Sequence, residues 1–152
     1  MKRQGFTVLE ILFALSILTL AVTIITLSFS KLNSSQALDK SADLVVSILN
    51  EARALTLSSK GDSQYGIYFD ASQVVLFKGA TYSSIDPSNV ITELNSLVGL
   101  RNITLSGGGA SVVFERLTGN ADKTGTVEVF LKTSPGIFKT VTINGTGIVG
   151  LN

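Results

Sequence analysis

The sequence predicts an α+β fold: one long N-terminal α-helix, apolar in its first half and amphipathic in its second, packed on an antiparallel β-sheet domain. Three observations predict it. Residues 6–30 are apolar apart from scattered Ser and Thr and one carboxylate, Glu10. Residues 32–59 contain neither Gly nor Pro and repeat apolar residues at helical spacing. After Gly61 the pattern changes to short β-branched and aromatic runs broken by Gly, Asn, Asp and Ser.

The chain has 152 residues, enough for one domain plus a membrane segment. Lys and Arg total 12 against 11 Asp and Glu, a formal charge of +1. No strongly basic balance advertises nucleic acid or an anionic surface. There is no Cys, hence no disulfide and no thiolate chemistry. There is no His, which removes the commonest general base and metal ligand. The mean hydropathy of +0.42 is high for a soluble domain, and most of the excess lies in the first thirty residues.

Residues 6–30 as a helix suffice to span a hydrocarbon core about 30 Å thick. Lys2 and Arg3 precede them and favour a cytoplasmic N-terminus, leaving everything after Lys31 outside the cytoplasm. Three readings compete. A secretory signal peptide needs an apolar core of about 7–15 residues before a small-x-small cleavage site. Ser28-Phe29-Ser30 is a passable site, but the run is too long and Glu10 interrupts it. A plain anchor leaves Glu10 as an unexplained cost, about 2.5–3.5 kcal/mol near the membrane centre and less at its edge. The third reading places the cut after Gly5, before the apolar run, which is then retained.

Lys2-Arg3-Gln4-Gly5 followed by Phe6-Thr7-Val8-Leu9-Glu10 resembles the prepilin-type signal of type IV pilins and type II secretion pseudopilins. The resemblance implies cleavage between Gly5 and Phe6 by a membrane prepilin peptidase and N-methylation of Phe6. It implies a pilin fold and an assembly role for Glu10. Cleavage would discard the leader charges Lys2 and Arg3 and free a positive amine at Phe6. A carboxylate in an apolar bundle is tolerable when paired, and the amine of a neighbouring subunit is a partner for Glu10. The bland alternative is that Glu10 snorkels to the membrane edge.

The helix continues past the apolar run. Leu38, Ala42, Val45, Leu49, Ala52 and Thr56 alternate at spacings of four and three, and Leu44, Ile48 and Leu55 widen the stripe. Asp39, Lys40, Asp43, Asn50, Glu51 and Arg53 fall mostly on the other side. Ser59-Lys60-Gly61-Asp62 ends the helix, with Gly61 expected as the stop, so one helix from about Phe6 to Ser59 is expected. Thr19–Ser30 is its weakest part by propensity.

Residues 65–69 and 73–77 flank Asp70-Ala71-Ser72 and read as a hairpin. Residues 89–99 place Val90, Ile91, Leu94, Leu97 and Val98 at the spacing of a short helix. Further strands are expected over 102–106, 111–115, 126–132, 138–143 and 147–151, with a tight turn at Asn144-Gly145 between the last two. The expected division is a leader (1–5), a transmembrane or filament-core helix (6–30), an amphipathic helix (31–60) and a β-rich extracytoplasmic domain (61–152).

Within the superfamily the chain is similar to the GspH/FimT-type minor pseudopilins and minor pilins. The resemblance rests on Leu49-Asn50-Glu51-Ala52-Arg53-Ala54, the early hairpin, Phe114-Glu115-Arg116-Leu117-Thr118-Gly119, Thr126-Val127-Glu128-Val129 and the run from Lys139 to Val149. It implies a non-enzymatic building block of a pilus or pseudopilus, anchored first in the cytoplasmic membrane. The implied partners are other pilin or pseudopilin subunits, the prepilin peptidase, an inner-membrane platform protein, an assembly ATPase and, before assembly, membrane lipid.

Other chemistry finds little support. Ser28-x-x-Lys31 has the spacing of some acyl-transfer motifs but no supporting partner. Gly107-Gly108-Gly109 lacks the helix and Lys-Ser/Thr of a phosphate loop. Asp62, Asp70, Asp86 and Asp122 are too scattered for a calcium loop, so neither metal nor cofactor is expected. Asn33, Asn102 and Asn144 open glycosylation-type triplets, a pattern short enough to arise by chance. The alternative function, DNA binding in a competence pilus, needs several cations on one face, whereas Gly145–Gly150 carries no Lys or Arg.

Overall fold

The computed structural model describes residues 7–152, with side chains for all of them except residues 26–30. They form one helix, α1 (Val8–Leu57), followed by a short 3-10 turn (Lys60–Asp62) and eight strands. The chain divides into two compact units, one up to Ser35 and one from Gln36 to Asn152, and α1 contributes to both.

In the second unit the expected stripe is the buried one. Ala42, Val45, Leu49, Ala52 and Thr56 have no exposed surface, and Leu38 is 4 % exposed. Lys40, Asp43, Asn50 and Glu51 are exposed on the opposite side. The apolar stripe is buried because a 3.6-residue period keeps it on one face.

The helix ends differently from expectation. The Ser58 amide still donates to the Ala54 carbonyl (2.9 Å), but that of Ser59 donates to Thr56 (3.0 Å), tightening the last turn. Ser59 itself takes the left-handed conformation (φ 49°), so the chain reverses two residues before Gly61, whose φ of 61° prolongs the turn. The reason lies in Thr56. Its buried hydroxyl donates to the Ala52 carbonyl (2.8 Å) and accepts the Tyr65 amide (2.9 Å). The first strand must therefore begin nine residues after Thr56, which demands an abrupt reversal.

Strands β1 (Tyr65–Phe69), β2 (Gln73–Lys78), β3 (Val90–Glu93) and β5 (Ser111–Val113) form one antiparallel sheet in the order β3-β2-β1-β5. Strands β4 (Val98–Leu105), β6 (Gly125–Leu131), β7 (Ser134–Ile143) and β8 (Val149–Leu151) form the other, in the order β4-β6-β7-β8. The early hairpin is β1–β2, closed by the Asp70 amide on the Gln73 carbonyl (3.0 Å). Its carboxylate also accepts the Ala71 amide (2.7 Å).

Residues 89–99 are not a helix. Val90–Glu93 form edge strand β3, paired with Gln73–Leu76, and Val98 opens β4. Val90 and Ile91 are β-branched and add a strand to the open edge of β2, while the Asn95 side chain accepts the Leu97 amide (3.0 Å) and turns the chain between the strands. Asn144-Gly145 does open a tight turn between β7 and β8. Asn144 donates to Ile148 (3.0 Å) and accepts from Gly147 (2.9 Å), and Gly147, at φ 75°, makes the left-handed step.

The core is where α1 meets both sheets: Val45 and Leu49 join Ile67, Phe69 and Phe114 with Val127, Val129, Val141 and Ile143. Close approach of β4 and β6 fixes Gly125, where a Cβ would lie 2.0 Å from the Thr104 carbonyl oxygen. Leu49→Ala should lower stability by about 2–5 kcal/mol through the cavity it leaves. Thr56→Val should cost about 1–3 kcal/mol by stranding the Tyr65 amide. Urea unfolding of the detergent-solubilised chain, followed by tyrosine fluorescence, reads both.

Candidate assembly surfaces

In the first unit the Thr7 hydroxyl accepts the Glu10 amide (3.2 Å), and the Thr7 carbonyl accepts the Ile11 amide (3.2 Å). Thr7 is thus the N-cap of α1 and Glu10 its third helical residue, the Thr-x-x-Glu spacing of a capping box. The expectations for Glu10 above do not include this capping arrangement, although the spacing signals it. The cap uses the Thr7 hydroxyl and the Glu10 amide. The Glu10 carboxylate, which favours the positive end of the helix dipole, has no ion-pair partner among the described residues.

Val8–Ile25 has a mean hydropathy of 2.6 over 18 residues and none of it is buried within the chain. It is long and apolar enough to cross a membrane. Its hydroxyls bond back into the helix: Ser16 donates to Leu12 (2.8 Å), Thr19 to Leu15 (3.0 Å) and Thr23 to Thr19 (2.8 Å). Polar side chains satisfied in this way present little unsatisfied polarity to an apolar environment. Glu10 is the one charge the run presents. Lys2, Arg3, Gly5 and Phe6, expected as leader charges, cleavage site and methylation site, lie outside the described residues.

In the second unit the outer face of the β4-β6-β7-β8 sheet carries Arg101. Its guanidinium lies 4.7 Å from the Phe130 ring centroid and 5.4 Å from that of Phe138, with Nε 2.9 Å from Glu128. Lys139 pairs with Asp39 of α1 (2.7 Å), and Lys132 donates to the Ser96 carbonyl (3.2 Å). At the C-terminal end of α1, Arg53 donates to the Gly119 carbonyl (3.1 Å) and, at 3.5 Å, to that of Thr146. This side chain ties the loops after Phe114 and after β7 to the helix. The sequence held no sign of it, because the partners are 66 and 93 residues away.

No known family model and no curated protein sequence matches the chain. Two solved structures are similar in fold. One is the type IV minor pilin FimU of Pseudomonas aeruginosa, at 13 % identity and a TM-score of 0.56, covering 76 % of this chain and 92 % of that one. The other is the minor pseudopilin EpsH of the type II secretion system of Vibrio cholerae, at 17 % identity and a TM-score of 0.54, covering 76 % and 95 %. The fold is that of the type IV pilins and pseudopilins, an N-terminal apolar helix continuing into an α+β unit with antiparallel sheets.

Gly147→Ala tests the Arg53 knot. Its Cβ would sit 2.0 Å from the Gly119 carbonyl oxygen. The loss should therefore exceed the roughly 1–2 kcal/mol of left-handed strain alone, read as a fall in Tm.

Proposed function

We propose that this chain is a structural subunit, a minor pilin or pseudopilin, of a type IV pilus or type II secretion pseudopilus. The single observation that carries the reading is Glu10, an exposed carboxylate with no ion-pair partner among the described residues, on an apolar helix that continues into a pilin-fold unit. A carboxylate leaving water for an apolar bundle needs a cation. The amine freed at Phe6 of a neighbouring subunit supplies one, and the pair sets the register of the helices. In this reading prepilin peptidase cuts between Gly5 and Phe6, Phe6 is methylated, and the subunit waits in the cytoplasmic membrane with its β-rich part outside. A platform protein and an assembly ATPase then drive it into the filament, and it performs no catalysis.

The competence-pilus alternative, DNA binding, draws no support from the charges nearest the C-terminus. Lys139 is paired with Asp39, and it is the one Lys or Arg from residue 133 to 152, so Lys132 offers phosphates a single cation there rather than a cluster.

Mass analysis of the chain extracted from membranes of its native host should find a methylated N-terminus at Phe6. A mature chain starting at Lys31 would instead mean secretion. Glu10→Ala should be cleaved normally and yet be lost from filaments, as seen by immunoblot of the sheared fraction; normal incorporation would end the pairing role.

A further inference from the structure

The pairing of β7 with β6 breaks near the start of β7. Phe138 faces Phe130 and Ser134 faces Leu131, so Pro135, Gly136 and Ile137 have no partner in that ladder. Strand β8 does not reach them either, since it pairs with residues 141–143. The three residues are extruded at the tip of the β6–β7 hairpin, where every residue from 132 to 138 is exposed. Ile137 is 54 % exposed and Phe138 46 %. Lys132 stands at the base of the tip and donates to the Ser96 carbonyl, which leaves its charge unneutralised. Of the neighbouring carboxylates, Glu128 is held by Arg101 and Asp39 by Lys139, and no acidic residue follows Glu128 in the sequence. An apolar projection with a cation at its base has the amphipathic character of a lipid-surface contact.

Two contacts fix which end of the globular unit carries this tip. Lys139, just after the tip, pairs with Asp39 near the start of the unit (2.7 Å). Thr146, beyond the other end of β7, accepts from Arg53 at 3.5 Å. Asp39 and Arg53 lie about 21 Å apart along α1. Strand β7 therefore runs alongside α1 in the same direction, and its extruded tip lies at the end where the chain enters the unit at Gln36. Residues 26–35 alone separate Gln36 from the apolar span Val8–Ile25. Even fully extended they reach less than about 40 Å. The end that carries the tip is thus the tethered end, and the exposed Ile148, in the turn beside Arg53, marks the other.

We propose that the extruded tip is a second membrane contact: Ile137 and Phe138 enter the boundary between headgroups and acyl chains of the bilayer that holds the chain, and Lys132 meets lipid phosphates. Two apolar side chains bind a bilayer weakly by themselves. On a tethered unit the contact is intramolecular, so a shallow insertion suffices. The inference rests on reading Val8–Ile25 as a membrane anchor, and it adds a surface that orients the globular unit on the bilayer before assembly.

The chain has no cysteine, so one engineered thiol places a single probe. A Cβ at Gly136 meets open space, and Gly136→Cys is therefore tolerated. The full chain is reconstituted in vesicles of phosphatidylethanolamine and phosphatidylglycerol and labelled with a polarity-sensitive fluorophore. At residue 136 the emission should shift to the blue and be quenched by brominated acyl chains, whereas with Ile148→Cys it should stay water-like. Adding Ile137→Asp to Gly136→Cys should abolish the shift and leave Tm unchanged. Water-like emission at both positions, an equal shift at both, or a shift indifferent to Ile137→Asp overturns the proposal. So does a shift that appears only in assembled filaments, which gives the tip to a neighbouring subunit. Leu15→Cys separates the two readings. Quenching there without quenching at residue 136 overturns this inference alone, and water-like emission there ends the anchor reading and this inference with it.

Discussion

Everything in the globular unit depends on burying one stripe of α1 against two sheets. Leu38, Ala42, Val45, Leu49 and Ala52 form a continuous apolar ridge that shares one core with the inner faces of both sheets. Val127, Val129 and Leu131 alternate with half-buried outward residues along β6, so sheet period and helix period meet at one seam. Thr56 marks where the seam stops. Its hydroxyl takes the Tyr65 amide and ends the helix at the point where the first strand must begin. Helix length, turn geometry and strand register follow from that bond.

The same helix meets two different demands. Its second half is held by packing within the chain, whereas none of the residues from Val8 to Ile25 is buried there. Hydroxyls that would weaken the packed half are harmless in the apolar half because they bond back to the preceding turn. Glu10 is the exception. The helix dipole favours a carboxylate in the first turn, but the dipole alone does not neutralise it. The helix is thus complete as secondary structure and incomplete as electrostatics.

How much of this could be read from the residues depended on periodicity. The stripe from Leu38 to Thr56 was legible because packing obeys the helical repeat without exception there. The β1–β2 hairpin was legible from its turn residues. Residues 89–99 were misleading for a physical reason: Val90 and Ile91 sit on an exposed edge strand, while Leu94 and Val98 turn inward after it, and the combined spacing imitates a helix. Ser59 replaced Gly61 at the reversal because a distant hydrogen bond set the position. Glu10 stood out as a charge in an apolar run, but Thr7 as its capping partner required attention to a spacing of three. The contacts of Arg53 left no local trace, since its acceptors lie on loops 66 and 93 residues further along the chain.

The Arg53 knot also bears on timing. Arg53 lies in the helix, but its second acceptor, Thr146, is 93 residues further on, and Val149 and Leu151 of the last strand pack against the core. Contacts this distant in sequence form late. In a chain synthesised from its N-terminus, the helix is made long before the strand that secures it. The globular unit therefore finishes folding only after its last residues are made, and until then its apolar seam stays open.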